Sequence, residues 1–182
     1  DEYARKRNID ASWLYGLVRA ESAFIEDVSS PAGALGLMQV MPKTGRYMAK
    51  YIGLKGFKTS KLRKAETNIP IGSAYMKKML TDFNGNIVLA TAAYNAGPHR
   101  VSKWLPKEGC EEPDVWVEKI PFDETRKYVR RVLAFANIYD WRLKLEVKPI
   151  KKRMQIIVSK NHNLADSSGC TDINITKNEH VN

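Results

Sequence analysis

Apolar side chains at helical spacing are the feature that most limits how this chain can fold. The first such stripe follows Asp10, a residue type that often caps a helix. Its members fall at positions i, i+3, i+4 and i+7 of one face: Leu14, Leu17, Val18 and Glu21. An apolar face of this kind normally packs against a protein core. We therefore predict a helix from about Ala11 to Phe24 with this face buried.

Glu21 is the ionisable member of this stripe. A carboxyl group withdrawn from water disfavours its charged form, so its pKa rises and it can hold a proton near neutral pH. Such a group can act as a general acid. A second interpretation stays open from the spacing alone, in which Glu21 lies at the edge of the stripe and forms a salt bridge with one of the chain's many basic side chains.

Helix signals recur along the chain, separated by cap and breaker residues. Four further helices are predicted: from Pro42 to near Gly53, from Asn68-Ile69-Pro70 to the Asn84-Gly85-Asn86 turn, from Ile87 to Gly97-Pro98, and from a cap at Asp123 to about Leu143. The length of 182 residues suits one domain that buries a real core. The sequence therefore predicts a mainly helical domain.

Three sequence blocks narrow this prediction to a family. They read ESAF at 21–24 followed by SPAGALGLMQVMP at 30–42, AYNAGP at 93–98, and IPFDETRKYV at 120–129. Together they resemble the catalytic domain of the soluble lytic murein transglycosylases, enzymes related to goose lysozyme that cleave bacterial peptidoglycan. The resemblance covers roughly residues 9–141. It departs from the family pattern at Phe24, where Trp is common, and at Leu35, where a smaller residue is common.

The resemblance implies a lysozyme-like helical domain with a substrate groove. It also implies non-hydrolytic cleavage of the β-1,4 bond between N-acetylmuramic acid and N-acetylglucosamine, which leaves a 1,6-anhydromuramic acid end. In this family one glutamate first protonates the bridging oxygen and then, as a carboxylate, takes the proton of the sugar's own 6-hydroxyl. The match assigns both steps to Glu21, with no cofactor. Such a mechanism fits a sequence in which the neighbouring acids, Glu26 and Asp27, fall in a predicted exposed turn.

The resemblance also implies a set of substrate-binding residues. These are Ser30, Gln39, Met41, Tyr94, Asn95, Glu124 and Tyr128. Gln39 and Met41 are expected to line one wall of the groove, by hydrogen bonding to sugar and by packing on a ring face. Tyr94 and Asn95 are expected on the opposite wall, where the Tyr94 hydroxyl is available to carbohydrate or to Glu21.

Two residues of this set have less definite roles. Ser30, nine residues after Glu21 as in the family, is expected to contact the sugar's acetamido group or to orient Glu21. Glu124 is expected to bind a sugar or the peptide stem. An alternative role for Glu124 is local, because an acid in the first turn of a helix is favoured by the helix dipole.

The charge of the chain leaves two kinds of polyanionic partner to consider. Lys and Arg number 30 against 20 for Asp and Glu, a formal net charge of +10. Such a charge favours nucleic acid or peptidoglycan, whose peptide stems carry carboxylates. We expect peptidoglycan glycan strands and no nucleic acid, because the chain lacks strands that interleave aromatic and basic residues. A noncatalytic peptidoglycan-binding module is the alternative to an enzyme.

The sequence also bears on location. It contains no apolar stretch of the ~20 residues that span a bilayer. It starts without Met or an apolar signal core, so we expect a processed or truncated piece that lacks an upstream helical domain. The resemblance implies a periplasmic location, and it leaves partners in the wall-remodelling machinery unknown.

His99, His162 and His180 are too scattered to predict a metal site.

The sequence pattern changes in the C-terminal part of the chain. We predict a catalytic domain over residues 1–148 and an extension over 149–182, with a β-prone run from Met154 to Val158. Three arrangements of the extension stay open: it wraps the domain, pairs as an edge strand, or is disordered. Cys110 and Cys170 are predicted either to form one disulfide in an oxidising compartment or to be two exposed thiols in the cytosol.

Overall fold

Helices dominate the architecture, as the spacing of apolar residues predicts. A computed structural model describes residues 2–159 and Cys170. The helices are α1 (Glu2–Arg7), α2 (Ala11–Ser22), α3 (Pro42–Tyr51), a 3-10 helix (Thr59–Arg63), α4 (Ala65–Asp82), α5 (Ile87–Ala96), α6 (Pro98–Trp104), α7 (Pro113–Lys119), α8 (Asp123–Arg142) and α9 (Ile150–Arg153). Two short strands, β1 (Cys110–Glu111) and β2 (Ile157–Val158), complete the described elements.

The central helix is α2, which packs against both α8 and α5. Gly16 allows close approach to α8, since a Cβ there would come within 2.8 Å of the Val132 carbonyl oxygen and 2.9 Å of the Ala136 nitrogen. The indole N–H of Trp13 donates to the Thr91 hydroxyl on α5 at 2.9 Å. These contacts fix α2 in the core, and with it the residue in its last turn, Glu21.

The ends of α2 follow local chemistry. The Asp10 carboxylate accepts the Trp13 backbone N–H at 2.9 Å, which confirms the predicted cap. The predicted end at Phe24 is wrong by two residues, because Ala23 and Phe24 take left-handed φ angles of 52° and 66°. Such angles stop a right-handed helix.

The start of α4 differs from the prediction by three residues. The helix begins at Ala65 and includes Pro70 in its second turn. Its first N–H is capped from a distant loop, since the Ala65 N–H donates to the Glu26 carboxylate at 2.7 Å. The local sequence contains no sign of this cap, whereas Asn68-Ile69-Pro70 carries the residue types that often mark a boundary of a helix.

The C-terminal segment packs onto the domain and pairs as a strand. Strand β2 lies antiparallel to β1, with Cys110 opposite Val158, and Ile157 is fully buried. Cys110 and Cys170 form a disulfide with their Cα atoms 5.9 Å apart. The edge-strand arrangement is therefore confirmed over these residues. The polar remainder of the predicted extension, at 160–169 and 171–182, lies outside the described residues.

Buried charge anchors the same segment. Arg153 is 4% exposed, and its guanidinium donates to both carboxylate oxygens of Asp140 at 2.5 Å and to Asp10 at 2.7 Å. Because Asp10 caps α2 and Asp140 belongs to α8, Arg153 ties together the two helices at the centre of the domain. Within the described ranges, no helix is long and apolar enough to cross a membrane.

Candidate active site

Glu21 lies in the last turn of α2, at the end of the predicted apolar stripe. Leu14, Leu17 and Val18 are buried as predicted, and Glu21 is partly buried. Burial raises the pKa of Glu21 from 4.5 to about 7. The hydrogen bond described next and the positive charge of Arg131 oppose this rise, whereas the negative charge of Glu124 adds to it.

Tyr128 on α8 is the hydrogen-bond partner of Glu21. Its hydroxyl donates to Glu21 Oε1 at 2.6 Å, and the side chain is 2% exposed. Burial, followed by the negative charge of Glu21, raises the pKa of Tyr128 well above its usual value, so the phenol stays a donor. The structure thus favours a partly buried acid held by a neutral tyrosine over a surface salt bridge. The substrate-binding role predicted for Tyr128 competes with this bond to Glu21.

Four residues predicted for the two groove walls come together around one pocket. The pocket has a volume of about 200 Å³. Gln39, Met41, Tyr94 and Asn95 line it, together with Val40, Thr44, Tyr75, Ala96 and Gly97. Glu21 does not line this pocket, but its negative charge acts on a residue that does: burial, and then the charge of Glu21, raises the pKa of Tyr94 well above its usual value. Spacing alone did not single out Thr44 and Tyr75.

A tight loop between α2 and α3 presents Gln39. Gln39 itself has a left-handed φ of 44°, and its Nε2 donates to the carbonyls of Gly36 at 2.8 Å and Val28 at 3.2 Å. These bonds use the amide nitrogen and leave the Oε1 atom of Gln39 as an acceptor for a ligand.

Asn68 holds this loop from below, a role that the sequence analysis missed. Its Oδ1 accepts the Met38 N–H at 2.7 Å, and its Nδ2 donates to the carbonyls of Leu35 and Leu62, both at 2.8 Å. Asn68 is fully buried. A usable signal was its place on the same face of α4 as the buried Ile71, where an amide must find internal partners.

Tyr94 uses its hydroxyl differently from either expectation. The hydroxyl donates to the Met38 carbonyl at 2.9 Å, which joins α5 to the loop. The ring packs on Tyr75 with centroids 5.2 Å apart. Tyr94 therefore offers the pocket its ring rather than a free hydroxyl.

Asn95 links the pocket to the start of α8. Its Oδ1 accepts the Thr125 hydroxyl at 2.7 Å, and its Nδ2 donates to Glu124 Oε1 at 3.4 Å. Glu124 lies exposed in the first turn of α8, so both roles considered for it remain compatible with its position.

The Ser30 hydroxyl accepts the Ala34 N–H at 3.0 Å, which closes a turn and leaves the hydroxyl proton available to donate.

Metal binding has no candidate in the part of the chain that the structure describes. No group of three or more His, Cys, Asp or Glu side chains there is arranged to hold an ion.

Comparison with known proteins places most of this chain in one family of enzymes. Residues 1–117 match the family model described as the transglycosylase SLT domain, and residues 119–147 match the soluble lytic transglycosylase helical domain. The chain is 42% identical over 139 residues to the soluble lytic murein transglycosylase of Salmonella typhimurium, which is 75% of this chain and 22% of that protein. The chain therefore spans about a fifth of the length of the curated relatives it matches.

Two solved structures share the fold. One is an inactive glutamate-to-glutamine mutant of lytic transglycosylase Slt from Pseudomonas aeruginosa, with a TM-score of 0.78 and 44% identity over 82% of this chain and 24% of that one. The other is the 70 kDa soluble lytic transglycosylase of Escherichia coli, with a TM-score of 0.76 and 35% identity over 85% of this chain and 25% of that one. The predicted lysozyme-like helical fold is thereby confirmed.

Proposed function

This chain belongs to the transglycosylase SLT family, and on that premise we propose that it cleaves peptidoglycan without water. The bond broken is the β-1,4 linkage between N-acetylmuramic acid and N-acetylglucosamine. The product carries a 1,6-anhydromuramic acid end. Glu21 performs both proton transfers.

The observation that carries this proposal is the partly buried carboxyl group of Glu21, which accepts a hydrogen bond from Tyr128 and whose pKa burial raises to about 7. Near neutral pH the group is populated both as acid and as carboxylate, which suits one side chain that must act first as acid and then as base. Tyr128 donates to Oε1 at 2.6 Å, which leaves Oε2 for the substrate. The neutral phenol orients the carboxyl group without adding a charge.

The chemistry then follows in two proton transfers. Glu21 protonates the bridging oxygen as the bond from that oxygen to the anomeric carbon breaks. The sugar's 2-acetamido group stabilises the positive charge that develops at the anomeric carbon. The 6-hydroxyl oxygen attacks that carbon, and its proton passes to the Glu21 carboxylate. One C–O bond breaks and one forms, the acid is regenerated, and no water is consumed.

Glu124, the acid among the described residues whose charge acts on Glu21, does not suit a second catalytic role. Glu124 is exposed, and its Oε1 accepts from Asn95 at 3.4 Å. Its charge raises the pKa of Glu21, which helps to keep the acid protonated. We assign Glu124 to substrate binding at the rim, with Asn95.

The pocket residues fit a saccharide ligand. Met41 is 42% exposed and presents an apolar surface for a ring face, whereas the Gln39 Oε1 atom can accept a hydroxyl or amide hydrogen. The Tyr94 ring adds a second apolar wall. We assign Ser30 to the acetamido group, with its free hydroxyl proton as the donor.

Location follows from substrate and redox chemistry. Peptidoglycan lies outside the cytoplasm, and the Cys110–Cys170 disulfide is favoured in an oxidising compartment. We therefore propose that the protein acts in the periplasm.

A noncatalytic peptidoglycan-binding module is the alternative that must be tested. The Pseudomonas relative supports an enzyme, because its glutamate-to-glutamine mutant is inactive. In this chain, Glu21→Gln is expected to keep binding to murein and to lose roughly 10²-fold or more of the cleavage rate, since Gln cannot donate or accept the proton. Glu118→Gln, which changes an exposed glutamate on α7, is the matched control.

Cleavage and binding are measured separately on purified sacculi. Full turnover in Glu21→Gln would contradict the assignment of the acid. Binding without turnover in the unmodified chain would instead identify a binding module.

A further inference from the structure

Two exposed tyrosines continue the wall of the pocket along α3. Thr44 lines the pocket from the first turn of this helix, and Tyr47 and Tyr51 follow it at i+3 and i+7 on the same face. Tyr47 is 53% exposed and Tyr51 is 63% exposed. Their rings are nearly parallel, at 23°, with centroids 6.3 Å apart. The two rings therefore form a flat, exposed apolar surface on the helix whose first turn borders the pocket.

The neighbouring helix α4 also carries residues that follow a pocket residue on one face of the helix. Tyr75 lines the pocket, and Lys78 and Asp82 follow it at i+3 and i+7. The Lys78 ammonium donates to both oxygens of Asp82, at 2.9 and 2.7 Å. The Asp82 hydrogen bond is the main cause that raises the pKa of Lys78, with smaller contributions from Tyr47 and Tyr51. Helices α3 and α4 contact each other, and both phenols act electrostatically on Lys78 across the boundary between the two helices.

We propose that Tyr47, Tyr51 and Lys78 form an accessory saccharide-binding surface, the α3–α4 strip, which holds sugars of the glycan strand beyond those in the pocket. The inference rests on the proposed function, because the strip extends the same site.

The chemistry of the strip identifies its ligand as a carbohydrate chain. The C–H faces of pyranose rings pack on aromatic rings, and hydroxyl and acetamido groups find donors and acceptors in the Lys78–Asp82 pair. Because that pair is internally neutralised, the strip does not need a charged ligand. Its continuity with the pocket through Thr44 and Tyr75 indicates that one strand occupies both.

A purely local role for the two tyrosines is the competing explanation. Aromatic residues at i and i+4 stabilise a helix through contact with each other, with no ligand involved. Replacing both by leucine keeps an apolar i, i+4 pair but removes the flat rings. Replacing both by phenylalanine keeps the rings and removes the hydroxyls.

The test measures how affinity depends on the length of the glycan. All variants carry Glu21→Gln so that the strands stay intact, and the probes are peptide-free murein glycan strands, either a tetrasaccharide or much longer. The parent is expected to bind long strands more tightly than the tetrasaccharide. Tyr47→Leu with Tyr51→Leu is expected to weaken long-strand binding by roughly tenfold, and Tyr47→Phe with Tyr51→Phe to retain most of it.

Trp141→Ala is the matched control, because Trp141 is 71% exposed on α8, outside the strip. It is expected to keep the full preference for long strands. The proposal is overturned if the leucine pair binds long strands as tightly as the parent, or if Trp141→Ala loses the preference to the same extent. Either result would leave the assignment of Glu21 intact, since that assignment is tested by turnover.

Discussion

The hydrogen bond from Tyr128 to Glu21 lowers the pH at which the proposed acid loses its proton, and Tyr128→Phe tests this. The phenol hydroxyl donates to Oε1 at 2.6 Å and lowers the pKa of Glu21 against the larger effect of burial. A hydrogen bond to a charged group contributes about 1.5 to 3 kcal/mol. Since one pH unit corresponds to about 1.4 kcal/mol, removing the hydroxyl should raise the pKa of Glu21 by roughly 1 to 2 pH units.

The assay is the pH dependence of kcat/KM on murein glycan. The first step needs protonated Glu21, so activity should fall as the pH rises through about 7 in the unmodified chain. In Tyr128→Phe the alkaline limb of this profile should move to higher pH by roughly 1 to 2 pH units, whether or not the maximal rate changes.

Tyr94→Phe is the matched control for this experiment. It removes another phenol hydroxyl from the same site, but that hydroxyl donates to the Met38 carbonyl and not to Glu21. Its alkaline limb should stay near that of the unmodified chain. A limb in Tyr128→Phe that stays in place, or moves to lower pH, would refute the reasoning.

Three further predictions concern stability. Glu21→Gln should raise the free energy of unfolding by about 3 kcal/mol above pH 7, and this gain should vanish below pH 4.5. The reason is that the folded state holds the Glu21 proton up to about pH 7, whereas the unfolded chain releases it near pH 4.5. Urea titrations across this pH range measure the gain. Arg153→Met should cost about 3 to 5 kcal/mol in the same assay, since it leaves the Asp140 charge buried without a partner, and a cost below about 1 kcal/mol would argue against that burial. Reducing the Cys110–Cys170 disulfide, which closes a loop of 60 residues, should cost about 4 kcal/mol, as urea unfolding with and without reductant would reveal.

The parts of this protein that could be predicted from sequence are those set by local pattern. The stripe that ends in Glu21 requires one buried helix face, and Asp10 caps that helix as its residue type indicates. The Gly97-Pro98 pair likewise marks the end of α5, which the structure confirms. In these segments the residues that decide the structure lie within one or two helical turns of one another.

The parts that escaped prediction depend on contacts between distant residues. Tyr128 and Glu21 are separated by 107 positions, so their hydrogen bond has no local signature. The cap of α4 comes from Glu26 in another loop, which is why its start was placed too late. Asn68 looked like a helix-opening residue, yet its amide holds the loop that presents Gln39.

The resemblance to the family, and not the local spacing of residues, identifies four of the residues that line the pocket. Gln39 and Met41 come from one segment and Tyr94 and Asn95 from another, and no periodicity relates the two segments. The structure brings all four to one pocket, and the charge of Glu21 acts on one of them, Tyr94. Their individual contacts with substrate stay predictions.

The most direct test of the account is the mass of the fragments released from purified murein. If Glu21 acts as both acid and base, every new glycan end should be a 1,6-anhydromuramic acid, lighter by one water than the reducing end that hydrolysis leaves. Fragments that end in reducing sugars, with an oxygen atom taken from labelled water, would mean that water attacks the anomeric carbon, and would contradict the two-step role of a single glutamate.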